Sequence, residues 1–338
     1  MIAGILSPEG IARAVEQPDP HANDDVVLVR IDVAPMCTEF RSRGDGQSHD
    51  VLGHEAAGVV VDPGTSRRVA VGDRVVVMPQ YGCGVCRYCS RGDHIYCPFP
   101  RDVLAETGSE YGTGTFAQYV LKPDYLLLSV PDDISLDHAA AADCLLGPSF
   151  HASERMRVDA LDTLLVGGCG PVGLGAVVNG VTRGARVLAL ETNPYRMKLA
   201  QSIGAEVFNA LDPDVDDAIR VATGGWGVTT AIETSGVPTS ARRLAELATR
   251  LGQLAVVAWG SDITLPPLVP LGLTVHGCWH WNHAVLGERM WDTVRHASRL
   301  LDTVVTHRFD LIDVDAAMEL QASGQCGKVF LYPNGRDV

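Results

Sequence analysis

Residues 163–173 read TLLVGGCGPVG, a buried-strand pattern that runs into a glycine-rich turn and an apolar helix through about residue 182. The turn has G-x-G-x-x-G spacing, formed by Gly168, Gly170, Pro171, Val172 and Gly173. In such a unit the first glycine makes the turn, the second lets the backbone approach a pyrophosphate, and the third lets helix and strand pack closely. The stretch therefore predicts a dinucleotide site at a helix N-terminus.

The residue that follows the next strand pattern indicates which dinucleotide binds. Residues 186–190 (RVLAL) read as a strand, and Glu191 ends it about twenty residues beyond the turn. An acidic side chain at this place accepts hydrogen bonds from both ribose hydroxyls of NAD and repels a 2′-phosphate. Arg196 lies nearby and could tolerate NADP, so the sequence favours NAD over NADP.

The alternation of strand and helix continues on both sides of residue 191. Asn193 and Pro194 read as an N-cap and first helical residue, and Gly204 closes that helix. Further strand-like runs lie at 229–233, 253–258 and 273–276. This pattern predicts an α/β domain with a doubly wound parallel sheet. The strand ends at 234–236, which include Ser235, and at 258–260 are expected to line the nicotinamide half of its crevice.

A second informative stretch is CGVCRYCSRGDHIYC, which begins at residue 83. Its C-x2-C-x2-C-x7-C spacing places four thiolates within fifteen residues, at Cys83, Cys86, Cys89 and Cys97. Four thiolates form a closed tetrahedral shell around zinc, which is typical of a structural site. Gly84 and Gly92 would make the tight turns. The alternative is a pair of disulfides in an exported protein, but residues 1–10 show no signal-peptide pattern.

Composition bounds the remaining possibilities. The chain has 338 residues, which suggests two domains, and a formal net charge of -14, which argues against nucleic acid as a partner. The longest uncharged run, between residues 162 and 183, contains six glycines and a proline, so a membrane span is not expected there. Nine cysteines without an export signal favour a reducing, cytoplasmic compartment.

Three further potential metal ligands lie outside the cysteine-rich stretch. They are Cys37, His54 (in LGHEAAGVVV) and Cys144 (in AAADCLLGPSF). Two thiolates and one imidazole leave the fourth zinc position open, as in catalytic zinc sites. Spacing alone does not assemble them, and a single buried cysteine is common in any protein core.

The order of motifs resembles the zinc-dependent medium-chain dehydrogenase/reductase superfamily, the alcohol and sorbitol dehydrogenase group. The resemblance covers essentially the whole chain: a cysteine after an early strand, GHEAAG, VGDRV at 71–75, the four cysteines, GTFAQYV at 114–120, a later cysteine and GGCGPVG. It implies that Cys37, His54 and Cys144 bind a catalytic zinc. Glu55 would lie beside that zinc as a neighbouring carboxylate or an alternate ligand.

The resemblance also implies a split architecture. A mainly β, GroES-like catalytic domain would comprise residues 1–146, with a zinc lobe at 81–98, and residues 279–338 would return to it. An NAD-binding Rossmann domain would comprise residues 147–278. Two zinc ions per chain and a homodimer or homotetramer are expected from the resemblance.

The implied reaction is hydride transfer between an alcohol and nicotinamide, with zinc as the Lewis acid. Many family members carry Ser or Thr two residues after the first cysteine ligand to pass on the proton, but here that residue is Glu39. Either the loop is one residue shorter and Thr38 serves, or Glu39 itself is the relay or a substrate contact. A third possibility is a solvated Glu39, with His49 or water carrying the proton.

Other residues have open interpretations. Lys328 matches a position where many family members place a basic residue near the cofactor phosphates, or it is a surface lysine that ends a strand. The segment 276–283 (HGCWHWNH) contacts substrate or packs at an interface. His138 and His151 are expected to pack in helices. Cys169, Cys278 and Cys326 are expected to be small buried residues.

The layout around DCLLGPSFHA favours a secondary, polyol-like alcohol: a polyol, cyclitol or sugar. A carboxylate at Glu39 could hold an ammonium group, which makes an aminosugar or aminocyclitol a further hypothesis. The alternatives are a simple alcohol dehydrogenase and a non-catalytic module that binds zinc and nucleotide. All three catalytic ligands are present, which argues against the module.

Overall fold

The computed structural model describes residues 1–259 and 263–336. The chain divides into two compact units. The first contains Met1–Cys144, Asn282–Arg295 and the residues from Val305 onward, and the second contains Leu145–Trp281 and His296–Val304. The chain therefore leaves the first unit twice, after Cys144 and after Arg295, and returns to it at Asn282 and at Val305.

The strands are β1 (Ile2–Leu6), β2 (Ala12–Glu16), β3 (Val26–Pro35), β4 (Ala56–Asp62), β5 (Arg74–Val77), β6 (Tyr119–Pro123), β7 (Leu127–Ser129), β8 (Thr163–Gly167), β9 (Arg186–Glu191), β10 (Glu206–Asn209), β11 (Val228–Glu233), β12 (Ala248–Val256), β13 (Thr274–Gly277), β14 (Val305–Asp310) and β15 (Lys328–Tyr332). The helices are α1 (Val103–Thr107), α2 (Leu136–Ala140), α3 (Gly147–Met156), α4 (Pro171–Thr182), α5 (Pro194–Ser202), α6 (Val215–Ala222), α7 (Ser240–Leu247), α8 (Leu268–Leu271), α9 (His283–Val304) and α10 (Val314–Ser323).

The second unit is built on one parallel sheet with the strand order β10-β9-β8-β11-β12-β13. Counted from its own first strand, this is the 3-2-1-4-5-6 order of a doubly wound dinucleotide-binding fold. Strand β8 reads TLLVG, and four of its five residues are buried, as expected for a strand covered on both faces. The predicted α/β sheet is confirmed.

Local sequence explains where the helices of this sheet begin. Gly170 is the N-cap of α4 and Pro171 its first residue, directly after the glycine turn. The Asn193 side chain accepts hydrogen bonds from Tyr195 N at 2.9 Å and Arg196 N at 3.2 Å, so it caps α5 as predicted. Strand β10 was not anticipated, because EVFN is short and no residue of it is fully buried.

The first unit is mainly antiparallel. Strand β3 is its longest strand and pairs with β4, β6 and β15, and the sheet continues through β5 and β7. β14 adds to the edge in parallel with β15. The returning segment thus supplies two strands to the sheet that the N-terminal part of the chain begins, which confirms the split, mainly β catalytic domain.

The sequence run between residues 162 and 183 forms β8, the glycine turn and α4, as expected. Among the residues that the structure describes, no helix has both the length and the apolar character that a membrane crossing requires.

Candidate active site

One cluster of metal-ligating side chains lies in the first unit. The ligand atoms of Cys37, His54, Glu55 and Cys144 all lie within 4.8 Å of one another. Cys37 follows β3, and His54 and Glu55 immediately precede β4, the antiparallel neighbour of β3. Cys144 follows α2, a helix that packs against both strands. Strand pairing and one helix therefore bring these distant residues together.

The donor set fits zinc. Cys144 Sγ lies 3.4 Å from His54 Nε2. A tetrahedral zinc with bonds of about 2.3 Å to sulfur and about 2.0 Å to nitrogen would separate such atoms by about 3.5 Å. The hydrogen bond from Cys144, together with His54, lowers the pKa of Cys37 well below its usual value despite burial, so the thiolate is favoured.

Glu39 orients this cluster. Its Oε1 lies 2.8 Å from His54 Nδ1, and its Oε2 accepts a hydrogen bond of 2.8 Å from Cys37 N. Burial alone would raise the pKa of Glu39, but the neighbouring His54 brings it below its ordinary value. A proton on Nδ1 leaves the lone pair on Nε2, the nitrogen that faces Cys144. This is the carboxylate–histidine arrangement that fixes the tautomer of metal-binding histidines.

Glu39 is therefore not a solvated loop residue; only 7% of its side chain is exposed, and that interpretation is wrong. Thr38 is exposed next to Cys37, and Glu39 begins a short 3-10 helix, Glu39–Gly44. His49 makes a separate contact, with Nε2 2.7 Å from Asp45 Oδ2, and its backbone pairs with Leu6. The choice of proton carrier among these residues stays a prediction.

Glu55 and Lys328 form a buried ion pair beside the cluster. Lys328 Nζ donates to Glu55 Oε1 at 2.7 Å, and Cys144 N donates to Glu55 Oε2 at 3.1 Å. Neither charged side chain has exposed surface. Burial raises the pKa of Glu55, and the positive charge of Lys328 opposes this rise. Burial lowers the pKa of Lys328, but Glu55 and Cys37 outweigh it, so the pKa is raised and the amine stays charged.

Lys328 thus begins β15 inside the core, and its interpretation as a surface lysine that ends a strand is wrong. Contact between Lys328 and the cofactor phosphates stays a prediction. The structure gives its ammonium a different partner, Glu55.

Three buried polar residues near this region were missed by sequence reasoning. Asp143 is fully buried next to Cys144, and burial raises its pKa to about 8. Gln321, on α10, donates from Nε2 to the carbonyl oxygen of Cys37. Lys122 Nζ lies 3.5 Å from the centroid of the Tyr81 ring, and burial lowers its pKa to about 7. Asp143 and Lys122 stand in otherwise apolar stretches, and Gln321 shares a helix face with apolar residues, which is the signal that could have found them.

The four predicted lobe cysteines also converge, within 4.8 Å of one another. Cys86 Sγ lies 3.6 Å from Cys89 Sγ and 3.7 Å from Cys97 Sγ, and the Cys83–Cys89 distance is 4.0 Å. Four sulfurs at about 2.3 Å from one zinc would stand about 3.8 Å apart, so the set fits a closed zinc site. Gly84 and Gly92 adopt left-handed backbone conformations, with φ of +78° and +84°, as predicted.

The last two residues of the segment 276–283, Asn282 and His283, contact the four-cysteine lobe. Asn282 Nδ2 donates to Arg91 O at 2.7 Å and to Asp93 Oδ1 at 3.1 Å. The ring of His283 stacks on His94 with a centroid distance of 5.4 Å. These two residues pack within the first unit, and His283 is buried. Within the second unit, His276 Nε2 lies 3.0 Å from Gln253 Oε1.

The remaining histidine and cysteine predictions concern packing. His138 lies in α2 and His151 in α3. Cys169, Cys278 and Cys326 are buried free thiols, as expected.

The glycine turn of the second unit has the geometry of a phosphate cradle. A Cβ at Gly173 would stand 1.9 Å from Gly168 O, so only glycine allows this close packing. Gly168 has φ of +89°, and a Cβ there would stand 2.8 Å from Ser235 Cβ. At Gly170 the nearest atom to such a Cβ is Arg196 Nη1 at 4.0 Å, which leaves room for a ligand at the N-terminus of α4. Val172 follows Pro171 in that first helical turn.

Glu191 lies at the carboxyl end of β9, where its carboxylate contacts the turn. Its Oε2 accepts from Cys169 N at 2.6 Å, and its Oε1 accepts from Asn193 N at 2.9 Å. The residue is buried, yet its negative charge stands beside the glycine turn and Arg196. Ser235 follows β11 and donates to Glu233. Of the second predicted strand end, Gly260 lies outside the described residues.

Comparisons with known proteins agree with this geometry. Residues 23–132 match the alcohol dehydrogenase GroES-like domain, and residues 171–299 match the zinc-binding dehydrogenase family. The chain has the fold of an alcohol dehydrogenase from Thermus sp. ATN1, with a TM-score of 0.88 at 23% identity over 98% of this chain and 99% of that one.

Two curated relatives are closer in sequence. An L-threonine 3-dehydrogenase of Bacillus velezensis is 30% identical over 94% of both chains. An erythritol/L-threitol dehydrogenase of Mycolicibacterium smegmatis is 34% identical over 84% of this chain and 80% of its own length. The family-model matches reach both units and include Cys37, His54, Glu55 and the four lobe cysteines. The chain is a dehydrogenase that belongs to the zinc-dependent medium-chain dehydrogenase/reductase superfamily, whose members act on CH–OH groups.

Proposed function

We propose that this enzyme transfers hydride between a secondary, polyol-like alcohol and NAD, giving the ketone, or catalyses the reverse. The observation that carries the proposal is the convergence of Cys37, His54 and Cys144 in one cluster, with two soft thiolates and one imidazole. Such a set leaves a metal coordination position open for substrate, in contrast to the four-cysteine lobe.

Cys37, His54 and Cys144 would hold the catalytic zinc, with Glu55 beside it, and the four lobe cysteines would hold a second, structural zinc. When bound at the open site, zinc supplies Lewis acidity toward the alcohol oxygen. The protein's own contribution is to fix the ligands. Glu39 sets the tautomer of His54, and Lys328 holds one oxygen of the Glu55 carboxylate.

We infer that Thr38 passes the substrate proton outward. Glu39 has one oxygen at His54 and the other at Cys37 N, so each oxygen already has a partner inside the cluster. Thr38 is adjacent, exposed and carries a hydroxyl that can both donate and accept. The loop after Cys37 would then be one residue shorter than the family pattern, with Glu39 as the orienting carboxylate.

The nucleotide preference follows from Glu191. Its carboxylate stands at the glycine turn, where a ribose hydroxyl can donate to it and a 2′-phosphate would be repelled. Arg196 offers positive charge near Gly170, which suits the pyrophosphate. NAD is therefore proposed over NADP.

The substrate class rests on the relatives and on Glu39. One relative is named for a four-carbon polyol and another for L-threonine, and both substrates carry a secondary alcohol. Both Glu39 oxygens already contact groups inside the cluster, which weakens the argument for an ammonium group at that carboxylate. We therefore propose a polyol, cyclitol or sugar before an amino-substituted analogue, and a simple alcohol as the alternative. We also propose that the enzyme is a homodimer or homotetramer. We propose a reducing, cytoplasmic compartment because all nine cysteines are free thiols.

The test is absorbance at 340 nm with NAD and, separately, NADP across polyols, inositols, aminocyclitols, sugars, simple alcohols and L-threonine. Turnover of a polyol that a zinc chelator abolishes is the expected result. The Cys37→Ser variant should be inactive, whereas Cys326→Ser, which alters a buried cysteine outside both clusters, should keep activity. Chelator-resistant turnover, or an active Cys37→Ser variant, would contradict the proposal.

A further inference from the structure

The backbone of Cys37 is held on both sides by side chains. Its N–H donates to Glu39 Oε2 at 2.8 Å, and its carbonyl oxygen accepts from Gln321 Nε2. The residue lies beyond the end of β3, and the backbone hydrogen bond from Met36 N to Val329 O immediately precedes it. The conformation of Cys37 is therefore set by two side chains.

These two contacts act on different peptide planes. The N–H belongs to the rigid plane before the Cys37 Cα, and the carbonyl belongs to the plane after it. When both planes are fixed, the two backbone dihedrals of the residue are fixed as well. The direction of the Cα–Cβ bond, and with it the reach of the thiolate, then follows.

Gln321 is an unusual residue for its position. It is 1% exposed and shares the inner face of α10 with Val314, Ala317 and Met318, all of them buried and apolar. Its Oε1 has no hydrogen-bond partner among the residues that the structure describes. An unpaired buried amide oxygen destabilises a fold, so an apolar side chain of similar size would suit this face better.

We propose that Gln321 is a positioning residue for the Cys37 thiolate: the amide orients the peptide that follows Cys37 and so keeps the ligand aimed at the open zinc site. The inference rests on the proposed function, in which Cys37 is a ligand of that zinc. The oriented peptide is also the one that carries Thr38.

The variant Gln321→Met tests this, because methionine has a similar volume and cannot donate. The readout is zinc loss to a chromophoric chelator, which needs no substrate. Zinc release is expected in two kinetic phases, one from each site. The phase that is absent in Cys37→Ser comes from the open site, and the other comes from the four-cysteine lobe. Loss from the open site should become about 10–100-fold faster, the usual effect of removing an outer-shell contact, while the lobe phase stays unchanged. A merely structural weakening would accelerate both phases.

Met318→Leu is the matched control, since it alters a buried residue of the same helix face that has no hydrogen bond to Cys37. It should leave both phases as in the native protein. If Gln321→Met fails to fold, Gln321→Asn, which withdraws the amide by one methylene, carries the same expectation. If the native protein binds two zinc ions and the Gln321 variant releases them at the native rates, the inference about Gln321 is overturned and the proposed function is not. Native protein with one zinc ion per chain would overturn the proposed function as well.

Discussion

Lys328 Nζ stands 2.7 Å from Glu55 Oε1, and both side chains are fully buried. The pair links the first residue of β15 to Glu55, the residue after the candidate ligand His54. Within the described residues, the hydrogen bonds of the pair join Lys328 Nζ to Glu55 Oε1 and Cys144 N to Glu55 Oε2. Breaking such a pair on one side leaves an uncompensated charge in the core.

The variant Lys328→Met should therefore lose about 3–5 kcal/mol of unfolding free energy, the usual effect of leaving one partner of a buried pair alone. The double variant Lys328→Met/Glu55→Gln should regain most of this loss. Urea unfolding followed by circular dichroism measures both. Lys198→Met, at an exposed lysine, is the control. Equal stability of the single and double variants would show that the pair does not act as a unit.

The variant Glu39→Gln should keep the shape of the pH–rate profile measured at saturating zinc, because Glu39 orients ligands and does not carry the proton. Zinc affinity at the open site should fall by about 10–100-fold, since the new amide group cannot accept from both His54 and Cys37 N. Competition with a chromophoric chelator measures this affinity. Glu110→Gln changes an exposed glutamate and should change neither property. A shifted pH–rate profile would restore Glu39 as the relay.

Lys122 should make stability depend on pH. Burial lowers its pKa from 10.5 to about 7 in the folded protein, so the unfolded chain binds more protons between these values. Unfolding free energy should therefore rise as pH increases from about 7 toward about 10, and the cost of the buried charge is fully present below pH 7. Lys122→Met should stabilise the protein more at pH 6.5 than at pH 9.0, measured by urea unfolding, whereas Lys198→Met should show no such difference. An advantage of Lys122→Met that is equal at both pH values would mean that Lys122 stays charged in the fold at both, with a pKa that burial has not lowered.

Removing the carboxylate at the glycine turn should relax the choice of cofactor. Glu191→Ser should raise the ratio of kcat/KM with NADP to kcat/KM with NAD by at least about tenfold, equivalent to about 1.4 kcal/mol of lost discrimination. Initial rates measured over a series of NAD or NADP concentrations, at the same fixed substrate concentration, give the ratio. Glu246→Ser, at an exposed glutamate of α7, should leave it unchanged. An unaltered ratio in Glu191→Ser would assign the preference to other residues.

The four-cysteine lobe should be separable from the open site. Cys86→Ser should reduce bound zinc from two ions to one per chain and lower the thermal midpoint, because the closed shell loses one of its four thiolates. Metal analysis and differential scanning calorimetry measure these effects. Cys326→Ser should retain both ions. Retention of two ions in Cys86→Ser would show that the lobe does not need all four cysteines.

The parallel sheet could be predicted from sequence because short strand-like runs such as RVLAL and QLAVVA alternate with helical patterns, and TLLVGGCGPVG fixes the first crossover. The strand bounds shifted by a few residues, most at β12, where the prediction of 253–258 compares with Ala248–Val256. Strand β10 was missed because its four residues, EVFN, show neither alternation nor burial. Short strands at a sheet edge depend on their neighbour for their existence.

The candidate ligands could be named from sequence, but their supports could not. Sequence spacing reveals the cluster of cysteines between Cys83 and Cys97, which lie in one loop. Gln321, in contrast, contacts Cys37 although the two are 284 residues apart in the sequence. The contact depends on how α10 packs, which no local pattern encodes. A polar residue on an otherwise apolar helix face was the available signal, and a lone lysine in the strand YVLKP was another.

The burial of Lys122 and Lys328 has a practical consequence for chemical labelling. Lysine occurs at only three places in the sequence, residues 122, 198 and 328, and the structure describes all of them. Two have essentially no exposed surface, so an amine-reactive dye or resin would find Lys198 on α5 as its lysine target. Lysine-linked conjugates of the folded enzyme should therefore be attached through one defined helix, while the same reagent applied after denaturation should modify all three lysine side chains.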